Sequence, residues 1–332
     1  MFFKRLNLSF KFIDLKAVVR TNYCKPEDLS WSEIPYPQVA DDEVLVRIYY
    51  TSINRTDCAN LMAKPFIMRF VLGLFKPKKT TLGTDFSGDI VELGKDSKCF
   101  KVGDQVFGFK DIVAESQAEY AVFKERDLFL IPVGLEKDIA AASLEGAHYA
   151  YSFFQLANIQ AKQKIFINGA TGAIGSALLQ FVKTLDVHVT ASCRTEHMDE
   201  VLEIGADKVV DYTQEDFTKL KDKYDVVFDA VGKSTFGKCK PVLSANGIYI
   251  SSELGPFIQN VFLPVLTRFT KKKVFFPIPK KVEQTIPFIS KMLATGKFKP
   301  LIDRSFELDD ISEAYQYVMS GQKKGNVLLK IS

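Results

Sequence analysis

The segment KIFINGATGAIGSALLQFVKTL, residues 164–185, decides the fold of this chain. Its first five residues are mostly apolar, as in a buried strand; glycines follow at 169, 172 and 175, and the rest has the pattern of an amphipathic helix. Glycine at 172 lets a pyrophosphate approach the backbone, and glycine at 175 lets the helix pack closely on the strand, so that phosphate oxygens meet free N–H groups at the positive end of the helix. The segment predicts a dinucleotide site; a tight turn without a ligand is the alternative. The predicted contacts are Gly169, Thr171, Gly172, Ala173, Ile174 and Gly175.

Strand and helix patterns alternate on the carboxyl side of this turn. The strand-like runs are HVTASC, KVVDY, DVVFDAVG and GIYISS. Strands that alternate with helical segments predict a parallel sheet with crossover helices. From Leu15 to about Pro132 the chain instead has short β-rich runs bounded by Gly, Pro and Asp, which predict an antiparallel, barrel-like half. From about residue 282 a helix, a turn, a second helix over 311–319 and the closing strand NVLLKI complete the chain.

The end of the second strand after the turn favours NADP(H) over NAD(H). An acidic residue there would bind the ribose 2'-hydroxyl of NAD, but this chain has Ser192, Cys193, Arg194 and Thr195, with Glu196 only afterwards. A hydroxyl and a guanidinium suit a 2'-phosphate, because arginine supplies charge-assisted donors. A solvated surface cation is the alternative for Arg194. Ser192, Arg194 and Thr195 are therefore predicted NADP(H) contacts.

Composition limits the class of protein. The 332 residues are 47% hydrophobic and 25% charged, which supports a large folded core, and a net charge of +4 is too mild for a nucleic-acid binder. The five cysteines include no Cys-x-x-Cys pair, so we expect reduced thiols, no structural zinc and a cytoplasmic location. No apolar stretch is long enough to cross a membrane. The N-terminal MFFKRLNLSFKFID is interpreted as an extension or strand lead-in, with a weak transit peptide as the alternative.

Three motifs resemble one known family. LGTDFSGDIVELG, FKVGDQVFGF and NGATGAIG, in this order, are similar to the medium-chain dehydrogenase/reductase superfamily, in particular its zinc-free quinone oxidoreductase branch. The resemblance implies an α/β protein: a GroES-like β-rich catalytic domain, residues 1–132 and 280–332, and an inserted Rossmann domain with a doubly wound parallel sheet, residues 133–279. It also implies a homodimer. By the same resemblance, further cofactor contacts are Tyr212, Asp229, Val231, Gly232 and Ser251.

The positions of the zinc ligands found in other members hold different residues. They are Asn54, Thr84 with Asp85, and Glu145, a poor zinc set, so no metal is predicted; a metal held by the two carboxylates remains the alternative. The structural zinc lobe with four cysteines is missing too. A tyrosine that often follows the asparagine in quinone oxidoreductases is absent, which leaves the quinone preference open.

Without a metal, the carbonyl of a substrate must be polarised by hydrogen-bond donors. The candidates are Asn54, Tyr149 and His148, and Glu145 is a candidate buried acid with a raised pKa. Three of the four have a structural alternative: a turn cap for Asn54, a packed helix residue for His148, and a helix N-terminal charge for Glu145.

The predicted reaction is NADPH-dependent reduction of quinones or α,β-unsaturated carbonyls, with a small hydrophobic substrate. The alternatives are a non-catalytic nucleotide-binding scaffold and an alcohol or carbonyl dehydrogenase of the same superfamily. A short-chain reductase is rejected, because the one Tyr-x-x-x-Lys match, Tyr120 to Lys124, precedes the glycine turn.

The stretch LMAKPFIMRFVLGLFKPKK, which begins at Leu61, combines apolar and basic residues. It is interpreted as a cap over the substrate opening, and contact with a membrane surface is the alternative.

Overall fold

The computed structural model describes residues 14–251 and 253–332. The prediction of an N-terminal extension concerns residues outside this range. The strands are β1 (Asp14–Val19), β2 (Ser30–Pro35), β3 (Glu43–Ile53), β4 (Asp85–Leu93), β5 (Gln105–Phe109), β6 (Tyr120–Lys124), β7 (Phe129–Leu130), β8 (Lys164–Asn168), β9 (His188–Cys193), β10 (Lys208–Asp211), β11 (Tyr224–Asp229), β12 (Leu243–Ser251), β13 (Lys273–Phe275), β14 (Ile302–Glu307) and β15 (Asn326–Lys330). The α-helices are α1 (Arg55–Met62), α2 (Arg69–Leu72), α3 (Lys137–Ala142), α4 (Glu145–Ala157), α5 (Ala173–Val182), α6 (Met198–Glu203), α7 (Phe236–Cys239), α8 (Gln259–Leu266), α9 (Val282–Ala294) and α10 (Ile311–Ser320).

Six parallel strands form the nucleotide-binding sheet, in the order β10-β9-β8-β11-β12-β13. Both faces of this sheet are covered, because alternate residues point to opposite sides. Ile165 and Ile167 pack in the core that contains α4, α5 and α9, whereas Phe166 packs in the core on the opposite face. The strand order reverses between β8 and β11, and ligands of such sheets bind beyond the carboxyl ends of the strands at this point.

The second large sheet has the order β14-β15-β3-β4-β5-β7, and β6 pairs with β3. All its pairs are antiparallel except β14 with β15. Its core closes on α10 through Ile311 and Tyr315, and the rings of Phe86 and Phe123 stack at 4.0 Å inside it. The α/β fold with a GroES-like β-rich domain and a doubly wound parallel sheet is thus confirmed. Tyr120 and Lys124 are the two ends of β6, a strand of this sheet.

Helix α9 packs with the parallel sheet. Its Ile286, Ile289 and Met292 belong to the same core as Ile165 of β8. This core also contains Phe107 and Phe109 of β5, so it is shared with the catalytic domain. The placement of residues 280–332 in the catalytic domain therefore stays a prediction.

The end of the chain returns to the glycine turn. The Gly325 amide donates to the Thr171 carbonyl at 2.6 Å, and Gly172 and Gly325 form an isolated parallel bridge. Lys324 Nζ lies 3.0 Å from Glu200 Oε1 on α6. These contacts hold the last loop of the catalytic domain beside the nucleotide-binding domain. Within the part of the chain that the structure describes, no helix is both long and apolar enough to cross a bilayer.

Candidate active site

A cleft of about 1100 Å³ is lined by both domains. The parallel sheet contributes the glycine turn and the loops after β9, β10 and β11, and the catalytic domain contributes the start of α1 and residues 318–324. The predicted residues that line it are Asn54, Glu145, Tyr149, Gly169, Thr171, Gly172, Ala173, Ile174, Arg194, Tyr212 and Val231. The predicted residues that do not line it are His148, Gly175, Ser192, Thr195, Asp229, Gly232 and Ser251.

The three glycines of the turn have different roles. Gly169 has a φ of +83°, and a Cβ there would collide with Val231; a Cβ at Gly175 would overlap the Gly169 carbonyl oxygen. A Cβ at Gly172 would instead have its nearest neighbour, the Gly169 oxygen, at 3.5 Å, and the φ of −72° suits any residue. The fold therefore does not require glycine at 172. A ligand that approaches the backbone would require glycine at 172, and a diphosphate at the uncapped start of α5 fits this arrangement.

Ser192 supports the turn from below. Its hydroxyl accepts a hydrogen bond from the Gly169 amide at 3.1 Å and donates one to Asn168 Oδ1 at 2.8 Å, and its side chain has no exposed surface. The expectation that this hydroxyl meets a 2'-phosphate is corrected, because its one proton is already donated inside the sheet.

Asp229 shapes the loop after β11. Its fully buried carboxylate accepts hydrogen bonds from Asn168 Nδ2 at 2.9 Å, the Ser234 amide at 2.9 Å and the Tyr249 hydroxyl at 3.2 Å. Asp229 therefore fixes the loop that presents Val231 to the cleft, and direct contact with a cofactor is not its role.

Gly232 and Ser251 also act on the loops. Gly232 has a φ of +63°, and a side chain there would collide with Glu253; Ser251 Oγ accepts from the Glu253 amide at 3.3 Å. Neither lines the cleft. Their positions explain the residue types through the turns beside the cleft. The predicted direct contact with a cofactor does not explain them.

Arg194 and Tyr212 lie together at one end of the cleft. Arg194 Nε donates to the Tyr212 hydroxyl at 3.0 Å, and the guanidinium side chain is 52% exposed. Two carboxylates are close by: Glu196 Oε1 lies 3.8 Å from Arg194, and Asp211 accepts the Thr195 hydroxyl. Hydrogen bonds from Thr195 and Thr213 lower the pKa of Asp211. The Thr195 hydroxyl is thus hydrogen-bonded to Asp211, an acid that the sequence analysis did not identify. Among Ser192, Arg194 and Thr195, Arg194 is the residue that lines the cleft and can reach a phosphate.

Asn54 is the N-cap of α1. Its Oδ1 accepts from the Asp57 amide at 2.9 Å, and its Nδ2 donates to Thr84 Oγ1 at 2.8 Å and to Ser52 Oγ at 3.3 Å. Both amide hydrogens are therefore used inside the protein. The structure thus shows the cap, and a direct hydrogen bond from Asn54 to substrate stays a prediction.

His148 is a packed residue of α4. It has no exposed surface, its Nδ1 lies 2.8 Å from Thr285 Oγ1, and its ring is 4.9 Å from that of Phe109. Its Nε2 is 3.4 Å from Asp111 Oδ1. Because the imidazole lies behind the cleft wall, the prediction that it touches substrate is corrected.

Tyr149 and Glu145 are the polar groups that α4 presents to the cleft. Burial, together with the nearby carboxylates of Glu145 and Asp111, raises the pKa of Tyr149, so the phenol stays protonated near neutral pH. The Tyr149 hydroxyl donates a long hydrogen bond, 3.4 Å, to Asp111 Oδ1, which leaves it able to donate to a better-placed acceptor. Burial also raises the pKa of Glu145 to about 7, and Thr56 Oγ1 donates to it at 3.1 Å.

Three functional candidates were missed by sequence reasoning: Arg55, Thr56 and Lys323. Arg55 NH1 lies 3.5 Å from Glu253 Oε1, an ion pair between the two domains, and Lys323 Nζ donates to the Gly325 carbonyl at 2.6 Å. Burial lowers the pKa of Lys323, which lines the cleft. Arg55 and Thr56 follow Asn54 directly, which is a signal that could have found them; the loop GQKKG carries no motif.

The described residues contain no group of three or more His, Cys, Asp or Glu side chains placed to hold a metal. Asp85 is fully buried and accepts from the Ser52 amide at 2.6 Å, and burial raises its pKa to about 6. It does not line the cleft that holds Glu145. Nor does any residue of the 61–75 segment line it, so the cap over this cleft is not formed.

Two family models match the chain. Residues 40–133 match the alcohol dehydrogenase GroES-like domain, and residues 204–329 match the model described as zinc-binding dehydrogenase.

Among known relatives, a chloroplastic quinone-oxidoreductase of Triphysaria versicolor is 28% identical over 90% of this chain and 92% of its own length. A 2-methylene-furan-3-one reductase of Solanum lycopersicum is 29% identical over 95% of this chain and 79% of its own. A mitochondrial NAD(P)H oxidoreductase of Danio rerio is 30% identical over 75% of this chain and 72% of its own length. The solved quinone oxidoreductase of Coxiella burnetii has the same fold, with a TM-score of 0.84 at 21% identity over 96% of this chain and 100% of that one.

Proposed function

Because the chain belongs to the medium-chain dehydrogenase/reductase superfamily, in its quinone oxidoreductase-like branch, we propose that it is an oxidoreductase that uses NADPH to reduce quinones or α,β-unsaturated carbonyls without zinc. The observation that carries this proposal is that one cleft is lined both by the open glycine turn and by the Tyr149 hydroxyl. A bound nicotinamide nucleotide supplies hydride. The residues of the chain bind the nucleotide, polarise the substrate carbonyl and hold the proton that the product requires.

The nucleotide is held by the turn and by Arg194. Backbone N–H groups at Ala173 and Ile174, at the uncapped start of α5, would hold the diphosphate, and a side chain at 172 would intrude on it. Arg194, oriented by Tyr212, supplies the charge for a 2'-phosphate. The neighbouring Glu196 and Asp211 oppose an extra phosphate, so the preference for NADPH depends on the arginine.

Tyr149 polarises the substrate carbonyl. A single donor of this kind lowers a barrier by roughly 3 to 4 kcal/mol, which suffices for an acceptor already activated by conjugation but not for an unactivated alcohol. Glu145 lies on the same helix with a pKa of about 7, so near neutral pH it can hold the proton that the reduced product requires. Conjugated carbonyls, including quinones, are therefore favoured over simple alcohols or ketones.

NADPH consumption with a panel of enones, quinones and simple ketones tests the proposal. Turnover of the conjugated acceptors supports it; tight NADPH binding without turnover would instead support a nucleotide-binding scaffold, and preference for a simple ketone or alcohol would support a dehydrogenase. Tyr149→Phe should lower kcat about a hundredfold or more. Tyr151→Phe is the matched control, since that ring lies on the same helix and packs on Phe288 at 4.8 Å. One tightly held zinc per purified chain would contradict the zinc-free mechanism.

We also place the predicted homodimer at α8 and β13. Strand β13 is an edge of the parallel sheet, and α8 and its flanks expose Phe257, Phe262, Val265 and Phe269 by 62 to 98%. An enzyme that works in the cytoplasm would keep these side chains covered by a second copy. Phe262→Glu should convert the dimer to a monomer in light scattering; a dimer that persists would place the interface elsewhere.

A further inference from the structure

Residues 64–79 form an exposed segment that is both apolar and basic, called here the basic segment. Six apolar side chains of the segment are 43 to 84% exposed; they are Phe66, Ile67, Phe70, Val71, Leu74 and Phe75. The segment holds five Lys or Arg residues, and the chain has no Asp or Glu between Asp57 and Asp85. Outside the segment, 39 Lys and Arg face 40 Asp and Glu, so the segment carries the excess positive charge of the protein.

The basic segment is fixed to the body of the catalytic domain. Leu72 is buried, and its carbonyl accepts the Lys78 amide at 2.8 Å. The Tyr23 hydroxyl donates to the Gly73 carbonyl, and the Arg69 guanidinium lies 4.8 Å from the Tyr23 ring centre. The backbone is thus anchored on its inner side while the aromatic rings project outward. The exposed rings therefore cannot become buried in the catalytic domain unless these contacts break.

Two occupants of this surface are disfavoured. A substrate in the cleft does not reach it, because none of the described side chains that line the cleft belongs to the segment. A second copy in a two-fold contact would place the same surface against itself, with five cations facing five cations. One of these charges, Lys79, is paired with Glu115; Lys64, Lys76 and Lys78 are exposed and form no ion pair with another residue that the structure describes.

We propose that the basic segment docks the protein on the surface of an anionic phospholipid bilayer. Aromatic side chains between lysines match such a surface in both properties: the rings enter the boundary between headgroups and acyl chains, and the ammonium groups meet lipid phosphates. The contact is peripheral and reversible, since one short segment is far weaker than a spanning helix. It does not depend on the proposed reaction, because no residue of the segment lies at the cleft.

Flotation of the full chain with vesicles tests this inference. Binding is expected to vesicles of phosphatidylcholine mixed with phosphatidylserine, to be weak on phosphatidylcholine alone, and to fall at high salt. The double variant Lys76→Glu, Lys78→Glu should lower the partition coefficient by about fivefold or more for each lysine. Phe70→Ser with Phe75→Ser should lower it without removing the salt dependence.

Two exposed sites outside the segment provide controls. Lys219→Glu, 82% exposed, and Val133→Ser, on a fully exposed side chain, should bind vesicles as the unchanged protein does. All variants should keep the melting temperature, since the altered side chains are on the surface. Absence of binding to anionic vesicles, or equal binding by the segment and control variants, would overturn the proposal. So would a change of oligomeric mass in the phenylalanine variant with vesicle binding unaltered, because the segment would then be a contact between copies.

Discussion

The Ser192 hydroxyl, at the end of β9, accepts a hydrogen bond from the Gly169 amide at 3.1 Å and donates one to Asn168 Oδ1 at 2.8 Å. Asn168 in turn donates to Asp229 at 2.9 Å. The carboxyl ends of three adjacent strands, β9, β8 and β11, are therefore linked under the glycine turn. The turn keeps its shape through this buried chain of hydrogen bonds.

Ser192→Ala should lower the free energy of unfolding by about 1 to 3 kcal/mol, because the Gly169 amide and Asn168 lose a buried partner. The ratio of KM for NADPH to KM for NADH should not change. Denaturant unfolding and steady-state kinetics measure the two effects. A selective rise in KM for NADPH would return Ser192 to the phosphate site.

Gly172→Ala and Gly175→Ala should separate binding from folding. A methyl group at 172 meets the Gly169 carbonyl oxygen at an ordinary contact distance of 3.5 Å, so the ligand-free protein should keep its stability while the melting shift produced by NADPH is lost. A methyl group at 175 overlaps the Gly169 carbonyl and should cost about 1 to 3 kcal/mol of stability without any ligand. Thermal melting with and without NADPH measures both. An unchanged NADPH shift in Gly172→Ala would contradict the diphosphate site.

Arg194→Ala should raise KM for NADPH about tenfold or more and leave KM for NADH nearly unchanged, since a charge-assisted contact to the 2'-phosphate is lost. Lys219→Ala is the control for removing an exposed cation. Equal effects on the two nucleotides would refute the assignment of Arg194.

Glu145→Gln should change how stability depends on pH. The folded-state pKa of Glu145 is raised to about 7 by burial, above its ordinary value of 4.5, so the folded protein binds the proton more tightly than the unfolded chain. The stability contributed by the protonated acid is complete below about pH 4.5 and falls as pH rises to about 7, by about 3 kcal/mol in all.

Glutamine cannot ionise, so the variant should gain stability relative to the unchanged protein across that range. Denaturant unfolding at pH 5 and pH 8 measures the difference, with Glu203→Gln on the surface as the control. A difference that is the same at both pH values would show that Glu145 ionises normally.

The fold could be predicted because its signals are local. Glycine spacing after an apolar strand and the alternation of strand and helix patterns depend on neighbouring residues, and both proved reliable from 164 onward. The packing of α9 could not be predicted, since an amphipathic helix near a domain boundary can pack on either core, and in the structure α9 joins a core that residues of β5 and β8 share.

The candidate site residues were harder to predict for a related reason. His148 and Tyr149 are adjacent on α4, yet one faces the core and the other the cleft, because 100° separates neighbours on a helix. Asn54 had the right chemistry in the right place, but its amide was already needed to begin α1. Which partner such a group chooses depends on residues distant in sequence, such as Thr84 and Thr285.

The backbone bond from Gly325 to Thr171 ties the last loop of the catalytic domain to the glycine turn at one edge of the cleft. A relative movement that slides the domains past each other must break this bond and the adjacent bridge between Gly172 and Gly325. A rotation about that point stretches neither. Entry and release of a nucleotide should therefore proceed by a rocking movement whose axis passes beside the diphosphate, so that the mouth near Arg55 and Glu253 opens widest while the phosphate cradle scarcely moves.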